Sequence, residues 1–453
     1  MKKFLTLLAV IFFILLTGCS NNSIENNLND IPLQKLSSKE TGIDFSNTIT
    51  PNLETKENLF DYDYFYNGSG VGIADINNDG LKDVFFTSNQ TRNKLYLNKG
   101  ELKFEDITEK SNINQNKGWS SGVTFADVNN DGWLDIYISQ GGPFNQTKRK
   151  NTLLINNKDL TFTENASLYG LDDQGISTQS AFFDFDKDGD LDCVVMNENE
   201  FYGYDPLTFF KNFENKSLLR RNSSQLYEQV DGKFVNITEK AGLLSPTFGL
   251  GLCISDINND GWQDIYIAND YYVKDAMYIN NQDGTFSNKI KESTKQISFY
   301  GMGVDIEDIN GDNLSDIFVL DMASSDHVRS KTLMASMNTS NFDLITNKLD
   351  QHYQYMFNSL QLNMGNNKYH NISHQLNIAK TDWSWAGLIF DYNLDGNEDI
   401  FVTNGYRKYG SDNDSRIKIN QTRKEYNNTV PILSLIHISE PTRPRLISYA
   451  VFC

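Results

Sequence analysis

Alternating oxygen-bearing side chains around a tight turn are the most repeated chemistry in this chain. A nine-residue pattern recurs six times, first as Asp75-Ile-Asn77-Asn-Asp79-Gly80-Leu-Lys-Asp83. The other copies start at Asp127, Asp184, Asp256, Asp308 and Asp391. Position 3 is Asn77, Asn129, Asp186, Asn258, Asn310 and Asn393, and position 5 is Asp79, Asp131, Asp188, Asp260, Asp312 and Asp395. Position 9 is Asp83, Asp135, Asp192, Asp264, Asp316 and Asp399, and the third copy adds Asp190 at position 7. Calcium is a hard cation that takes about six to eight oxygen ligands. Carboxylates and amides on alternate residues, a sharp turn and a closing carboxylate meet that demand, so these residues are assigned as calcium ligands. Position 6 is Gly80, Gly132, Gly189, Gly261, Asn313 and Gly396, the residue types that best tolerate positive φ. A plain Asp/Asn/Gly surface turn gives no reason for an Asp at position 9 in every copy. The third copy, richest in carboxylates, is expected to bind tightest, and the copy with Asn313 weakest.

The elements that must position these loops are strands. An EF-hand needs a twelve-residue loop closed by Glu between two helices. Here position 2 is apolar or aromatic (Ile76, Val128, Phe185, Ile257, Ile309, Tyr392), and the residues after position 9 are runs such as Val84-Phe85-Phe86 and Ile265-Tyr266-Ile267. Short β-branched and aromatic runs bounded by turns read as buried strands. Gly70, Gly122, Gly251 and Gly303 each stand a fixed distance before a loop. A second hairpin follows most loops, as in Leu95-Tyr-Leu-Asn98 with Phe104, or Tyr278 to Phe286 around an Asp-Gly turn. Four strands per unit at a period of about 50 residues predict a β-propeller, an all-β fold. Two intervals are longer, and their insertions fall near 200–219 and 323–356; the second reads as an ordinary decorated loop, with an amphipathic helix through Leu333, Met334, Met337 and Leu344 the competing reading.

With their flanks, the loops resemble FG-GAP repeats of the VCBS kind, found in seven-bladed integrin-α-like propellers. Gly132-Trp-Leu-Asp-Ile-Tyr-Ile138, Ser177-Thr-Gln-Ser-Ala-Phe-Phe-Asp184, Ile267-Ala-Asn-Asp270 and Thr381-Asp-Trp-Ser-Trp385 resemble more narrowly the VCBS-repeat lipoproteins of Bacteroidetes-type bacteria, which often carry an ASPIC/UnbV domain. The resemblance covers about residues 40–410. It implies fold and metal ligands at the loop positions, and it supplies no catalytic residues. No ASPIC/UnbV segment is found. Six loops fit a seven-bladed ring with the remainder missing, and a six-bladed ring is the competing count.

The ends carry their own signals. Met1-Lys-Lys precedes an apolar run, Phe4–Leu16, too short to span a membrane comfortably. Leu16-Thr17-Gly18-Cys19 matches a bacterial lipobox, so residues 1–18 read as a lipoprotein signal peptide and Cys19 as the lipidation site. Ser20 lacks the inner-membrane retention signal, which favours the outer membrane. Residues 19–37 read as a polar tether and 38–432 as the propeller. Leu433 to Arg443 and Ile447 to Cys453 match translated sequencing-library adapter, in order. Residues 433–453 are therefore expected to be foreign to the protein, and the propeller to be incomplete at its C-terminus.

The formal charge of −19 reflects the loops, and it argues against nucleic acid, whose binding rests on clustered Lys and Arg. Cys193 and Cys253 read as buried free thiols, with a disulfide in an oxidising envelope the competing reading. His370 and His374 lack the Glu of a zinc-protease helix, and Gly68-Ser-Gly70-Val-Gly72 leads into a calcium loop where a dinucleotide site needs a helix. No catalytic constellation emerges. Trp119, Phe248, Tyr300 and Trp383 keep phase with the repeat and read as blade packing, whereas Phe201, Tyr202, Tyr204, Phe209 and Phe210 fall in the first insertion, where a sugar-stacking platform is the competing reading to packing on the ring. The expected function is a calcium-binding, lipid-anchored envelope propeller that acts as a binding or scaffold module for a glycan or protein ligand. The alternatives are a propeller enzyme acting on polysaccharide and an adhesion protein.

Overall fold

Strand pairs close around each of the six nine-residue loops in the same register. In the computed structural model the residue just before position 1 pairs with the Asp at position 9: Ala74 with Asp83, Ala126 with Asp135, Phe183 with Asp192, Ser255 with Asp264, Glu307 with Asp316, and Phe390 with Asp399. The structure describes residues 35–52, 54–59, 61–113, 118–143, 148–332, 339–407 and 446–452. Residues 38–453 form one unit. Cys19 and its lipobox, Leu333, Met334, Met337 and residues 433–445 lie outside the described residues.

The hairpins build a six-bladed β-propeller. Blade one comprises β1 (Val71–Ala74), β2 (Asp83–Phe86), β3 (Lys94–Asn98) and β4 (Phe104–Asp106). Blade two comprises β5 (Trp119–Ala126), β6 (Asp135–Gly141), β7 (Thr152–Asn156) and β8 (Phe162–Glu164). Blade three comprises β9 (Ser177–Phe183), β10 (Asp192–Asn197), β11 (Gln225–Val230) and β12 (Lys233–Asn236). Blade four comprises β13 (Gly249–Ser255), β14 (Asp264–Asn269), β15 (Ala276–Asn280) and β16 (Phe286–Asn288). A short β17 (Ile297–Ser298) leads to blade five, whose β18 (Val304–Glu307) and β19 (Asp316–Val319) are followed by β20 (Met322–Ala323) and an insertion. The chain returns through β21 (Gln354–Tyr355), parallel to β17, and completes blade five with β22 (Ser359–Asn363) and β23 (Tyr369–Asn371). Blade six holds β24 (Asp382–Phe390), β25 (Asp399–Arg407) and β26 (Leu446–Phe452), with β20 paired to the start of β24. Part of the adapter-like stretch thus runs as a strand, Leu446 opposite Arg407.

Apolar cores fill the spaces between successive blades. Phe85, Leu95, Ile136 and Leu154 pack between blades one and two, and Val194, Leu226, Ile265 and Ile267 between three and four. The glycines before the loops sit where neighbouring inner strands approach most closely. A Cβ on Gly303 would lie 2.4 Å from the Trp385 carbonyl oxygen, and one on Gly122 2.5 Å from that of Thr178. Only a residue without a side chain lets the blades close to that distance. At the two end blades the matching faces carry exposed apolar side chains: Val71 and Ile73 on β1, Leu388 and Phe390 on β24. Among the described residues no helix is long and apolar enough to cross a membrane.

Candidate metal centre

Each loop turns twice through left-handed backbone. Position 4 has positive φ in every copy, as in Asn78 (57°), Lys187 (62°) and Leu394 (61°), and so does position 6, as in Gly80 (88°) and Asn313 (65°). Asn313 therefore takes up the same turn as the glycines. These two turns bring positions 1, 3 and 5 around one point. In the first loop Asp75 Oδ1 accepts the Asp79 N–H at 3.1 Å, Asp75 Oδ2 accepts the Gly80 N–H at 2.8 Å, and Asn77 Oδ1 accepts the Asp79 N–H at 3.2 Å. The loops beginning at Asp127, Asp256, Asp308 and Asp391 repeat this arrangement. At position 5, Asp79 is held below the usual carboxylate range by the Leu81 N–H and by Asn77.

The third loop departs from the pattern in the way its extra charge requires. Asp184, Asp186 and Asp188 each bring a carboxylate oxygen within 4.8 Å of the others, a group that could hold a metal ion. Asp184 Oδ1 has no hydrogen-bond partner and is buried from solvent, and Asp190 Oδ1 is in the same state. Asp186 and Asp190 are raised, first by burial and then by the charge of Asp188. Asp399 Oδ2, at position 9 of the last loop, is likewise buried and unpartnered. A buried, unpaired carboxylate oxygen is costly unless a cation or proton meets it.

Position 9 has a second task. Asp83 Oδ2 accepts the Ile76 N–H at 3.1 Å, and Asp83 Oδ1 accepts the Asn98 N–H at 2.7 Å, so the closing carboxylate ties the loop to the third strand of its blade. Asp135, Asp264 and Asp316 make the same pair of bonds. Each oxygen keeps a further lone pair for a metal. Burial pushes Asp135 and Asp316 up to about 6, and Asp192 and Asp264 up to about 7. The carboxylates of positions 1 and 5 add repulsion in each of these except Asp192, where Asp186 and Asp190 do so. Oxygen-only donors, unpaired oxygens and like charges in close quarters fit calcium.

Positions 1, 3 and 5 lie on these turns and position 9 opens the second strand of its blade; among the described residues three carboxylates meet only in the third loop, at Asp184, Asp186 and Asp188. The sequence reading missed the Asn that ends the third strand: Asn98, Asn156, Asn280 and Asn363. Asn98 Nδ2 donates to the Lys82 carbonyl in its own loop at 2.9 Å, and Asn363 Nδ2 to that of Ser315 at 3.2 Å. Asn156 and Asn280 also reach the preceding loop, donating to the Ile76 and Phe185 carbonyls, each at 2.8 Å. The recurrence of Asn after an apolar triplet, interrupted only by Gln361 before Asn363, was the available signal.

The other end of the strands is closed by aromatic packing. Trp119 meets Tyr62 and Phe65. Tyr62 and Tyr64 donate to the buried Glu198 and Asp270, at 3.2 and 2.8 Å. Phe248 stacks on Phe209 at 5.1 Å, and Phe201 packs edge-on against Phe213 and Tyr204. Phe209 is fully buried against the ring with Phe201, Tyr202 and Phe210 partly buried around it, whereas Tyr204 remains exposed. Cys193 is a buried free thiol and Cys253 a half-buried one, the latter pushed up to about 12 by burial. His370 and His374 are both exposed.

Comparison with known proteins agrees with this architecture. The FG-GAP-like repeat model matches residues 75–138 and 256–319, so the chain carries FG-GAP-like repeats in a β-propeller. Cartilage acidic protein 1 of Xenopus tropicalis is 30% identical over 131 residues, which are 29% of this chain and 20% of that protein. The match thus spans only a fifth of that relative. Among solved structures, the V. cholerae biofilm matrix protein Bap1 aligns over 58% of this chain and 36% of its own, with 13% identity and a TM-score of 0.33.

Proposed function

We propose that this chain is a calcium-loaded propeller, anchored to the cell envelope through lipid on Cys19, that serves as a binding or scaffold module for an extracellular glycan or protein. The observation that carries the reading is the convergence of Asp184, Asp186 and Asp188 in a loop whose Asp184 and Asp190 leave buried oxygens unpaired. In each loop the side chains of positions 1, 3, 5 and 9 would hold the ion, joined by Asp190 in the third. Calcium supplies positive charge that offsets carboxylate repulsion. The protein's own part is to present those oxygens on two left-handed turns and to clamp the closing Asp to the third strand. The metal then acts structurally, binding the folded state and stabilising it by mass action.

A rigid ring with its loops at one end and insertions at the other suits display of a binding surface. The match to a cartilage protein is in keeping with a module that works outside cells. The reading is tested in two steps. Replacing Cys19 by Ala is expected to release the protein from membranes, and continued lipid labelling of that variant would refute the anchor. Calcium-dependent retention on a glycan panel, without product formation, is expected; turnover there would instead favour a propeller enzyme.

A further inference from the structure

We propose that the metal loops do not fill independently: loops one and two form one coupled group and loops three, four and five another, with a break between loops two and three. This rests on the calcium reading above and adds positioning residues to it. Two separate sets of side chains cross from blade to blade. The first set lies on the outer strands: the Asn that ends the third strand in blades two and four, and Tyr369, which opens the fourth strand of blade five. The Asn156 N–H binds Asp135 of loop two at 2.8 Å, while its Nδ2 holds the Ile76 carbonyl of loop one at 2.8 Å. Asn280 does the same for loops four and three, through Asp264 at 2.7 Å and the Phe185 carbonyl at 2.8 Å. In blade five the Tyr369 hydroxyl reaches the Ile257 carbonyl of loop four at 3.3 Å and also donates toward Ser315 of loop five at 3.4 Å.

The second set is position 4, which the left-handed turn aims at the next blade. Asn78 Nδ2 donates to the Gly132 carbonyl in loop two at 3.0 Å. The Lys187 ammonium lies 4.4 Å from the centroid of the Trp262 ring in loop four. Asn259 Nδ2 donates to the Asn313 carbonyl in loop five at 2.6 Å. Both sets thus pick the same three junctions. Both fail at the junction of loops two and three. There the third-strand residue is Gln229, whose Nε2 turns to its own Leu191 carbonyl at 3.1 Å, and among the described residues Asn130 at position 4 has no hydrogen bond to loop three. Loop five has Gly311 at position 4, which offers no side chain toward loop six.

The physical consequence follows from ordering. A cation that draws in Asp264 fixes the backbone of Asn280. The same residue's amide then holds the Phe185 carbonyl, so loop three is ordered in advance. A second ion meeting an already ordered loop binds more tightly, and the effect is reciprocal.

Trp133 and Trp262 stand at position 7 of loops two and four and report on them directly. Calcium is titrated into the chelator-stripped full chain carrying Trp133→Phe, and the Trp262 midpoint is read as the difference from the same chain with Trp262→Phe added, because Trp119, Trp383 and Trp385 remain. Asp186→Ala, which disables loop three, is expected to raise that midpoint by about five-fold or more. Asp131→Ala, which disables loop two, is expected to leave it within about two-fold. Asn280 Nδ2 also donates to the Gln263 carbonyl of loop four at 3.3 Å, so Asn280→Ala is expected to raise the midpoint by less in the Asp186→Ala background than in the parent, and Lys187→Ala probes the same junction should Asn280→Ala fail to fold. An unmoved midpoint in Asp186→Ala overturns the coupling, and an equal shift in Asp131→Ala overturns the two groups. A parent chain with no calcium response fails the calcium reading itself, a different outcome from a parent that binds without coupling.

Discussion

At the scale of the residue, Asp264 ties loop to strand more than it decorates a turn. Replacing it by Ala leaves the buried Ile257 and Asn280 N–H groups without their acceptor, a loss of roughly 2–4 kcal/mol. Chemical denaturation of the metal-free chain measures it; an unchanged midpoint contradicts the clamp. Asp188 sits differently, exposed at the rim of the third loop. Asp188→Ala is expected to lower calcium stoichiometry by one, and calorimetry showing an unchanged count refutes that role. His352 predicts a pH dependence outside the metal loops. It is buried with Nε2 3.1 Å from the Thr294 hydroxyl, and burial, then the Lys291 and Lys274 charges, lower it from 6.5 to about 4 against the opposing pull of Asp350. The folded state therefore keeps the ring neutral where the unfolded chain protonates it. Its contribution is complete above 6.5 and is lost as pH falls toward 4. The parent should lose thermal midpoint relative to His352→Gln across that interval; parallel curves would contradict this.

At the scale of the element, the strand–loop–strand unit was legible because local chemistry decides it. Asp at position 1, Gly or Asn at position 6 and an apolar triplet after position 9 specify a turn between two buried strands, and the register confirms that reading at every copy. What stayed hidden is non-local. Asn280 looked like the end of a hairpin strand, and its partner Phe185 lies 95 residues away. The aromatic insertion was ambiguous for a related reason: Phe209 could be assigned only once Phe248 and Tyr272 were seen to enclose it. Glycine before the loop was visible, and its cause is blade spacing. Gly303→Ala places a methyl 2.4 Å from the Trp385 carbonyl oxygen, and the strain is expected to remove about 1–3 kcal/mol. Thermal unfolding at saturating calcium checks it, with an unchanged midpoint as the contrary result.

At the scale of the whole molecule, stability rests on cores that lie between blades, and the proposed calcium ions would add to it at the loops. Ile306 is 5% exposed between blades four and five, whereas Ile73 on β1 is 65% exposed. Ile306→Asp is therefore expected to unfold the chain at ordinary temperature, and Ile73→Asp to shift stability by no more than about 0.5 kcal/mol. The blade count of the described structure is six; the seven-bladed expectation came from resemblance, and the exposed apolar faces of β1 and β24 have no counterpart between the inner blades. Calcium at about a hundred times its dissociation constant would add about 2.7 kcal/mol per independent site. The measurement that tests the account most directly is the number of calcium ions carried by the folded chain, counted by native mass spectrometry after exchange into millimolar calcium. The account predicts one ion for each of the six loops, with a large fall in thermal midpoint when a chelator removes them. A chain that remains metal-free in that buffer, and unfolds at the same temperature with and without chelator, contradicts it.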